Sequence, residues 1–297
     1  MNGFLNLLKP PGMTSAAVVA VVRRMTGEKR VGHAGTLDPE AAGVLPVMIG
    51  KAARLFDYLV DKEKEYVAEV AFGQATDTQD ATGRVVATGD RYPTLEQVAE
   101  AARRLTGDIW QRPSIYSAIK QDGKPMYERA RKGESVEVPK RQVHVESIHQ
   151  TEETPNHGVL MTVRCGRGTY IRSICHDMGE MVGCPAHMRF LLRSQSGVFG
   201  LDTAMTLEEA AALSEASCLS EHLLALDMPL KHMPRVTVQP RGRKMVENGA
   251  KLPIAVIDGQ SLAEGQTTRV YLNDDFWGIA ARIGDELVWR ALIAPER

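Results

Sequence analysis

The sequence predicts an α+β protein followed by a smaller β-rich unit, and three observations carry that expectation. Segments with helix-cap signals interleave with short β-branched runs. No internal repeat or low-complexity tract interrupts them. Proline then recurs at Pro229, Pro234 and Pro240, which marks 226–230 as a linker before a tail whose patterning is strand-like. In chain order, 15–25 is apolar and stops before Gly27, a residue suited to a helix C-cap. Thr94-Leu95-Glu96-Gln97 has the spacing of a capping box and predicts a helix ending near Thr106-Gly107. Thr206-Leu207-Glu208-Glu209 starts another in the same way. Ile171, Ile174, Cys175 and Met178 recur at helical spacing, so that stretch should turn one face to the core. Strands are expected at 66–72, 143–148, 159–164, 198–201, 268–272 and 287–293. The organisation predicted is a unit at 1–228 and a second at 229–297.

Composition sets bounds on function. The chain has 297 residues, 43% hydrophobic and 25% charged, ordinary values for a globular protein. No apolar run approaches the roughly 18 residues of a membrane span, and the amino terminus lacks a signal-peptide pattern, so a cytoplasmic protein without membrane attachment is expected. Cys165, Cys175, Cys184 and Cys218 show no C-x-x-C spacing, which indicates neither a disulfide framework nor a metal site. The net charge of −1 hides an uneven distribution. Residues 103–141 carry ten Lys or Arg against five Asp or Glu, and 229–251 carry six against one. Such patches suit phosphates, though a solvated face has the same composition.

One loop stands out. Gly32-His33-Ala34-Gly35-Thr36-Leu37-Asp38-Pro39, continued by Glu40-Ala41-Ala42-Gly43-Val44-Leu45-Pro46, suspends the carboxylate of Asp38, with Glu40 two residues on, among residues that shape backbone. Gly32, Gly35 and Gly43 can supply positive φ or a close approach, and Pro39 restrains Asp38. By local chemistry alone Asp38 could equally cap a turn with Pro39 after it.

Further motifs follow in order: Leu8-Lys9-Pro10-Pro11-Gly12-Met13-Thr14-Ser15 ahead of the loop, then Lys64-Glu65-Tyr66, Thr76-Asp77-Thr78-Gln79-Asp80, Pro113-Ser114-Ile115-Tyr116-Ser117-Ala118, Gly168-Thr169-Tyr170-Ile171-Arg172, and Ala186-His187 on to Arg193. Together they resemble the TruB family of tRNA pseudouridine synthases over nearly the whole chain. The resemblance implies a mixed, largely antiparallel sheet with flanking helices, and a small PUA-like RNA-binding domain at the carboxy terminus. It implies isomerisation of uridine to pseudouridine at position 55 in the TΨC arm of tRNA by base flipping. The tRNA TΨC stem-loop would be the partner of a monomer with no obligate protein partner.

That reaction breaks a C–N glycosidic bond, turns the bound base and rejoins it through carbon. No redox change occurs, so it needs neither a cofactor nor a metal. It needs a nucleophile, and an ionised Asp38 could attack either the ribose or the pyrimidine ring. The resemblance assigns Arg172 to holding Asp38 ionised, since an adjacent guanidinium favours the charged carboxylate. It assigns Tyr66 to stacking on the flipped uracil, where a core role is the bland alternative, and Leu191 to the opposite side of the pocket, with Leu192 as rival. His33 would take the space the flipped nucleotide leaves. Lys9, Asp80 and Tyr170 match motif positions and would either contact RNA or buttress the site. The segment 120–141 resembles an RNA-gripping insertion, with Lys124, Arg129, Arg131 and Lys132 on phosphates, and Arg241, Arg243 and Lys244 would do the same from the carboxy-terminal unit. Two rivals stand beside this reading: a guide-RNA-dependent subunit of the same fold, and a non-catalytic RNA-binding or folding factor.

Overall fold

The computed structural model describes residues 1–60, 63–114, 120–121, 124–125 and 138–294. Among them the main sheet has nine strands. Seven form its continuous path: β1 (Gly3–Lys9), β2 (Ala42–Ile49), β3 (Lys64–Phe72), β4 (Gly107–Gln111), β5 (Arg141–Thr154), β6 (Gly158–Cys165) and β7 (Ala186–Ser196). They lie side by side in the order β1-β2-β7-β3-β6-β5-β4. Along that path every pairing is antiparallel except one: β2 and β7 run parallel, with Leu192 opposite Ala42 and Arg193 opposite Gly43.

Three of the helices begin where a threonine side chain satisfies a free backbone N–H. In α1 (Ser15–Thr26) the Thr14 hydroxyl accepts the Ala17 N–H at 3.0 Å, and Gly27, at φ 66°, donates its own N–H to Arg23. Thr94 and Thr206 close capping boxes on α2 (Leu95–Arg104) and α4 (Leu207–Glu215), as expected from their sequences. α3 (Ile171–Val182) buries Ile171, Ile174, Cys175 and Met178. These side chains join Val98, Ala101 and Ala102 of α2 against Ala68, Val70, Val145 and Val163 of the sheet. On β1 and β2, α1 and α4 bury Val18, Val22, Leu207 and Ala210 against Leu5, Leu7, Leu45 and Val47.

Four strands of this path, β1, β2, β4 and β7, fall outside the segments expected from the sequence. β2 is buried along nearly its whole length and carries Gly43 and Pro46, so it shows no alternation. β7 has register shifts between Met188 and Phe190 and between Arg193 and Gln195, which break the period of two. The strand expected at 198–201 shrinks to Phe199–Gly200, which pairs back on β7 and runs into a 3₁₀ turn, Leu201–Thr203. There the Asn6 amide donates to Gly200 O at 2.8 Å and to the Thr203 hydroxyl at 2.9 Å, tying the turn to β1.

After the 3₁₀ turn Met228–Leu230 comes a six-stranded sheet. Its strands are β8 (Arg235–Val238), β9 (Leu252–Pro253), β10 (Ile257–Gly259), β11 (Thr267–Leu272), β12 (Asp275–Ile283) and β13 (Glu286–Leu292), ordered β9-β13-β12-β11-β8-β10. It has its own core of Val236, Val270, Trp277, Ala280 and Leu287. A separate cluster joins it to the main sheet, packing Ile279 and Ile293 with Phe4, Met48, Leu55 and Leu230. Arg54 adds a hydrogen bond to Leu292 O at 2.6 Å, and the Tyr271 hydroxyl donates to Asp227 at 2.6 Å.

Candidate active site

The loop bearing Asp38 is clamped from both ends. Asp38 opens a turn with Pro39 second, and the Ala41 N–H closes it on Asp38 O at 3.1 Å. The junction of β1 and α1 supports the turn from beneath. Buried Lys9 donates its Nζ to Pro10 O at 2.7 Å and Pro39 O at 2.9 Å, while the Gly12 N–H reaches the same Pro39 oxygen. The Ser15 hydroxyl both accepts the Leu37 N–H and donates to Leu37 O. From β7, fully buried Arg193 donates Nε to Val44 O at 2.7 Å and Nη2 to Gly35 O at 3.1 Å, holding the two arms of the loop at a fixed separation. Of the three glycines singled out in the sequence, Gly35 and Gly43 have positive φ, and Gly32 does not.

This clamping points the Asp38 carboxylate at Arg172 on the first turn of α3. Arg172 Nε lies 3.0 Å from Oδ2 and Nη2 donates to Oδ1 at 3.3 Å, a two-point contact that fixes the plane of the carboxyl group. The two side chains differ in exposure: 38% for Asp38 and 6% for Arg172. The cation is buried and the carboxylate looks out over it. Arg172 is itself held by Thr78 O at 3.2 Å and by Asp80 Oδ2 at 3.6 Å. Asp80 is fixed in turn by the hydroxyls of Thr78 and Thr82 and the Thr82 N–H, all on Oδ1. The start of α3 is anchored by Gln111, fully buried, whose amide accepts the Tyr170 N–H at 3.0 Å and donates to Tyr170 O at 3.2 Å.

Burial pushes the Asp38 carboxyl above its usual range; Arg172 opposes that shift, Asp80 adds to it and Lys9 opposes it more weakly. Burial likewise lowers Lys9 to about 8, against the pull of Glu40 and Asp38. Tyr66 moves up through burial, with the charge of Arg193 pulling the other way. That hydroxyl therefore keeps its proton at neutral pH.

Strand pairing sets the floor of the site. Tyr66 on β3 faces Arg193 directly across the ladder, and Leu191, two residues before Arg193 on β7, shares its side of the sheet. The result is a cleft of about 470 Å³ lined by Asp38, Tyr66, Tyr170, Arg172, Leu191 and Arg193, among others. Its size suits a single nucleotide-sized group. Leu192, the rival of Leu191, pairs with Val67 and does not line the cleft.

Comparison with known proteins gives the family. Residues 23–171 match the N-terminal domain of the TruB family pseudouridylate synthases, and 172–231 the tRNA pseudouridylate synthase B C-terminal domain. The chain belongs to the TruB family of pseudouridine synthases, which are isomerases. The tRNA pseudouridine synthase B of Alkaliphilus oremlandii is 43% identical over 94% of this chain and 92% of its own length. That of Bacillus subtilis is 41% identical over 85% and 84%. Among solved structures, a chain of a Cbf5–Nop10–Gar1 complex superposes with a TM-score of 0.73 and 28% identity, covering 95% of this chain and 78% of that one.

The remaining predicted residues of this TruB-family chain are scattered. His33 ends the short strand Val31–His33, opposite Val47, and does not line the cleft. Its Nδ1 is buried and has no hydrogen-bond partner among the described residues, and burial lowers its pKa, reinforced by the charge of Arg193. Lys9 and Asp80 sit behind the cleft wall, where they brace Pro39 and Arg172. Arg241, Arg243 and Lys244 are exposed on the second sheet's short helical turns; Arg241 donates to Ala255 O, and Arg243 pairs with Glu247 at 3.6 Å. Arg129, Arg131 and Lys132 lie outside the described residues, as does the side chain of Lys124. Sequence reasoning assigned no role to Ser15, Gln111 or Arg193. Ser15 and Arg193 fall at the ends of matched motifs, which was the available signal; nothing local marks Gln111.

Proposed function

We propose that this protein isomerises uridine 55 in the TΨC arm of tRNA to pseudouridine, with Asp38 as nucleophile, acting without a guide RNA. The observation that carries the reading is one carboxylate, gripped at two points by a buried arginine, at the edge of a nucleotide-sized cleft with an aromatic floor. A binding factor would have no use for a carboxylate brought to a cleft in that way. The stand-alone reading is favoured because the curated relatives named tRNA pseudouridine synthase B are 39–43% identical, against 28% for the Cbf5 chain. In this proposal Tyr66 and Leu191 hold the extruded uracil, and His33 occupies the gap in the RNA stack. Residues 1–228 form the catalytic unit and 229–297 an RNA-binding unit. Lys124, Arg129, Arg131 and Lys132 meet phosphates together with Arg241, Arg243 and Lys244. Incubating the protein with an unmodified tRNA transcript and mapping pseudouridine tests it: conversion at position 55 is expected, and its absence under saturating enzyme would refute the proposal.

The pH profile of kcat/KM follows from the carboxylate's surroundings. Attack requires ionised Asp38, so turnover should fall on the acid side, with its midpoint above the ordinary aspartate value of 3.8. Arg172 lowers that midpoint and burial raises it. Replacing Arg172 with Met removes the lowering influence, so the acid limb should move to higher pH while the protein stays folded. An unmoved limb in a folded variant would show that Arg172 does not set the state of Asp38.

Tyr66 separates two roles by two substitutions. Tyr66→Phe keeps a flat ring and loses the hydroxyl; Tyr66→Ala loses both. The alanine variant should lose about tenfold or more in kcat/KM beyond the phenylalanine variant, since base–aromatic stacking is worth about 1–3 kcal/mol. Equal, near-wild-type rates for both would reduce Tyr66 to a core residue.

A further inference from the structure

Arg141, the first residue of β5, is left without a role by the reaction described above. It lines the same cleft as Asp38. Its guanidinium carbon lies over the Tyr170 ring, 4.9 Å from the centroid. Its Nη2 is buried and has no hydrogen-bond partner among the described residues. Other cations near the cleft behave differently: Arg172 grips Asp38 and Asp80, and Arg193 is bonded to Val44 and Gly35. A guanidinium N–H withdrawn from water and left unbonded is costly unless an acceptor arrives. The acceptor it is shaped for is planar-fork compatible and anionic. The rim beside it adds to the preference: α3 starts there with no side-chain cap and no acidic residue in its first turn.

On the reading that the substrate is RNA, we infer that Arg141 receives a backbone phosphate next to the uridine that enters the cleft. Tyr170 serves as the platform that aims the guanidinium. Arg141 is thus a substrate-positioning residue. It touches the phosphodiester and not the reacting base, and it holds the nucleotide's backbone while the base rests between Tyr66 and Leu191.

A double-mutant cycle tests this. The probe is a T-arm stem-loop RNA in which one linkage at a time, on either side of the target uridine, is made a neutral methylphosphonate. For wild type, one such linkage should weaken binding by about tenfold to a hundredfold, the range for a hydrogen bond to a charged group. Arg141→Leu should weaken binding of the unmodified RNA by a similar factor and show no further loss at that same linkage, while other linkages still cost it what they cost wild type. Full additivity at every linkage, or no effect of Arg141→Leu on binding, would overturn the inference. If Arg141→Leu fails to fold, Arg141→Lys is read in the same cycle; it keeps the charge without the planar fork, and partial coupling is expected where additivity would refute. Binding is measured without turnover, so a wild-type protein that binds the stem-loop but forms no pseudouridine would sink the functional proposal and still leave Arg141 to be judged by the cycle.

Discussion

Asp38→Asn should abolish turnover while leaving the fold and RNA binding close to wild type. The exchange preserves size and removes the charge that attacks, and the loop that carries residue 38 is held by Lys9, Gly12, Ser15 and Arg193 through backbone atoms and not through the carboxylate. Arg172 loses one partner but keeps Asp80 and Thr78 O. Single-turnover kinetics with tRNA transcript, run alongside a binding titration, check it. Residual turnover within about tenfold of wild type, about 1.4 kcal/mol in the barrier, would show that another group forms the covalent bond. Equal loss of binding and rate would instead point to a collapsed loop.

Gly43→Ala should lower stability strongly. Gly43 has φ 117°, and a Cβ there would stand 2.2 Å from Arg193 O and 2.6 Å from Arg193 N, both backbone atoms of the parallel β2–β7 pairing. Neither strand can give way without breaking the ladder that places Arg193. The expected cost is about 3 kcal/mol or more, from strained backbone and overpacking together. Gly12→Ala is the control, because Gly12 is also at positive φ, 81°, yet has nothing within 4 Å of its added Cβ. It should lose only about 1–2 kcal/mol. Denaturant unfolding of the two variants separates the contributions: equal losses would mean that backbone conformation, and not the close approach to β7, makes Gly43 necessary. Activity should follow stability at Gly43, since Gly43 is in the same stretch that Arg193 anchors.

Much of the architecture was legible because its signals are local. Thr94 and Thr206 cap helices through side-chain bonds to the residue three further on, so a few residues suffice to read them. The apolar stripe of α3 needs only its own spacing. Of the strands that escaped, β1 and β2 are buried along nearly their whole length, β7 has a broken register, and β4 has only five residues. The β-rich region expected at the carboxy terminus is the six-stranded sheet, in which β11 and β13 match the strands expected at 268–272 and 287–293, while β8, β9, β10 and β12 lie outside the expected segments.

By itself the sequence singled out Asp38, Tyr66, Arg172 and Leu191, through the composition of one loop and a collinear set of motifs whose order survives in one dimension. Only the tertiary structure decided what joins them. Asp38 and Arg172 are 134 residues apart and meet at 3.0 Å because α3 packs across the sheet beneath the loop. Tyr66 reaches Arg193 because β3 and β7 are neighbours, and Arg193 reaches the Asp38 loop because β7 runs parallel to β2. Arg141 and Gln111 enter the site only because β4 and β5 bring them to Tyr170. A cap is written in adjacent residues, whereas a clamp depends on which strands pair. That choice is made by the burial of whole sheet faces, which no short stretch of sequence encodes.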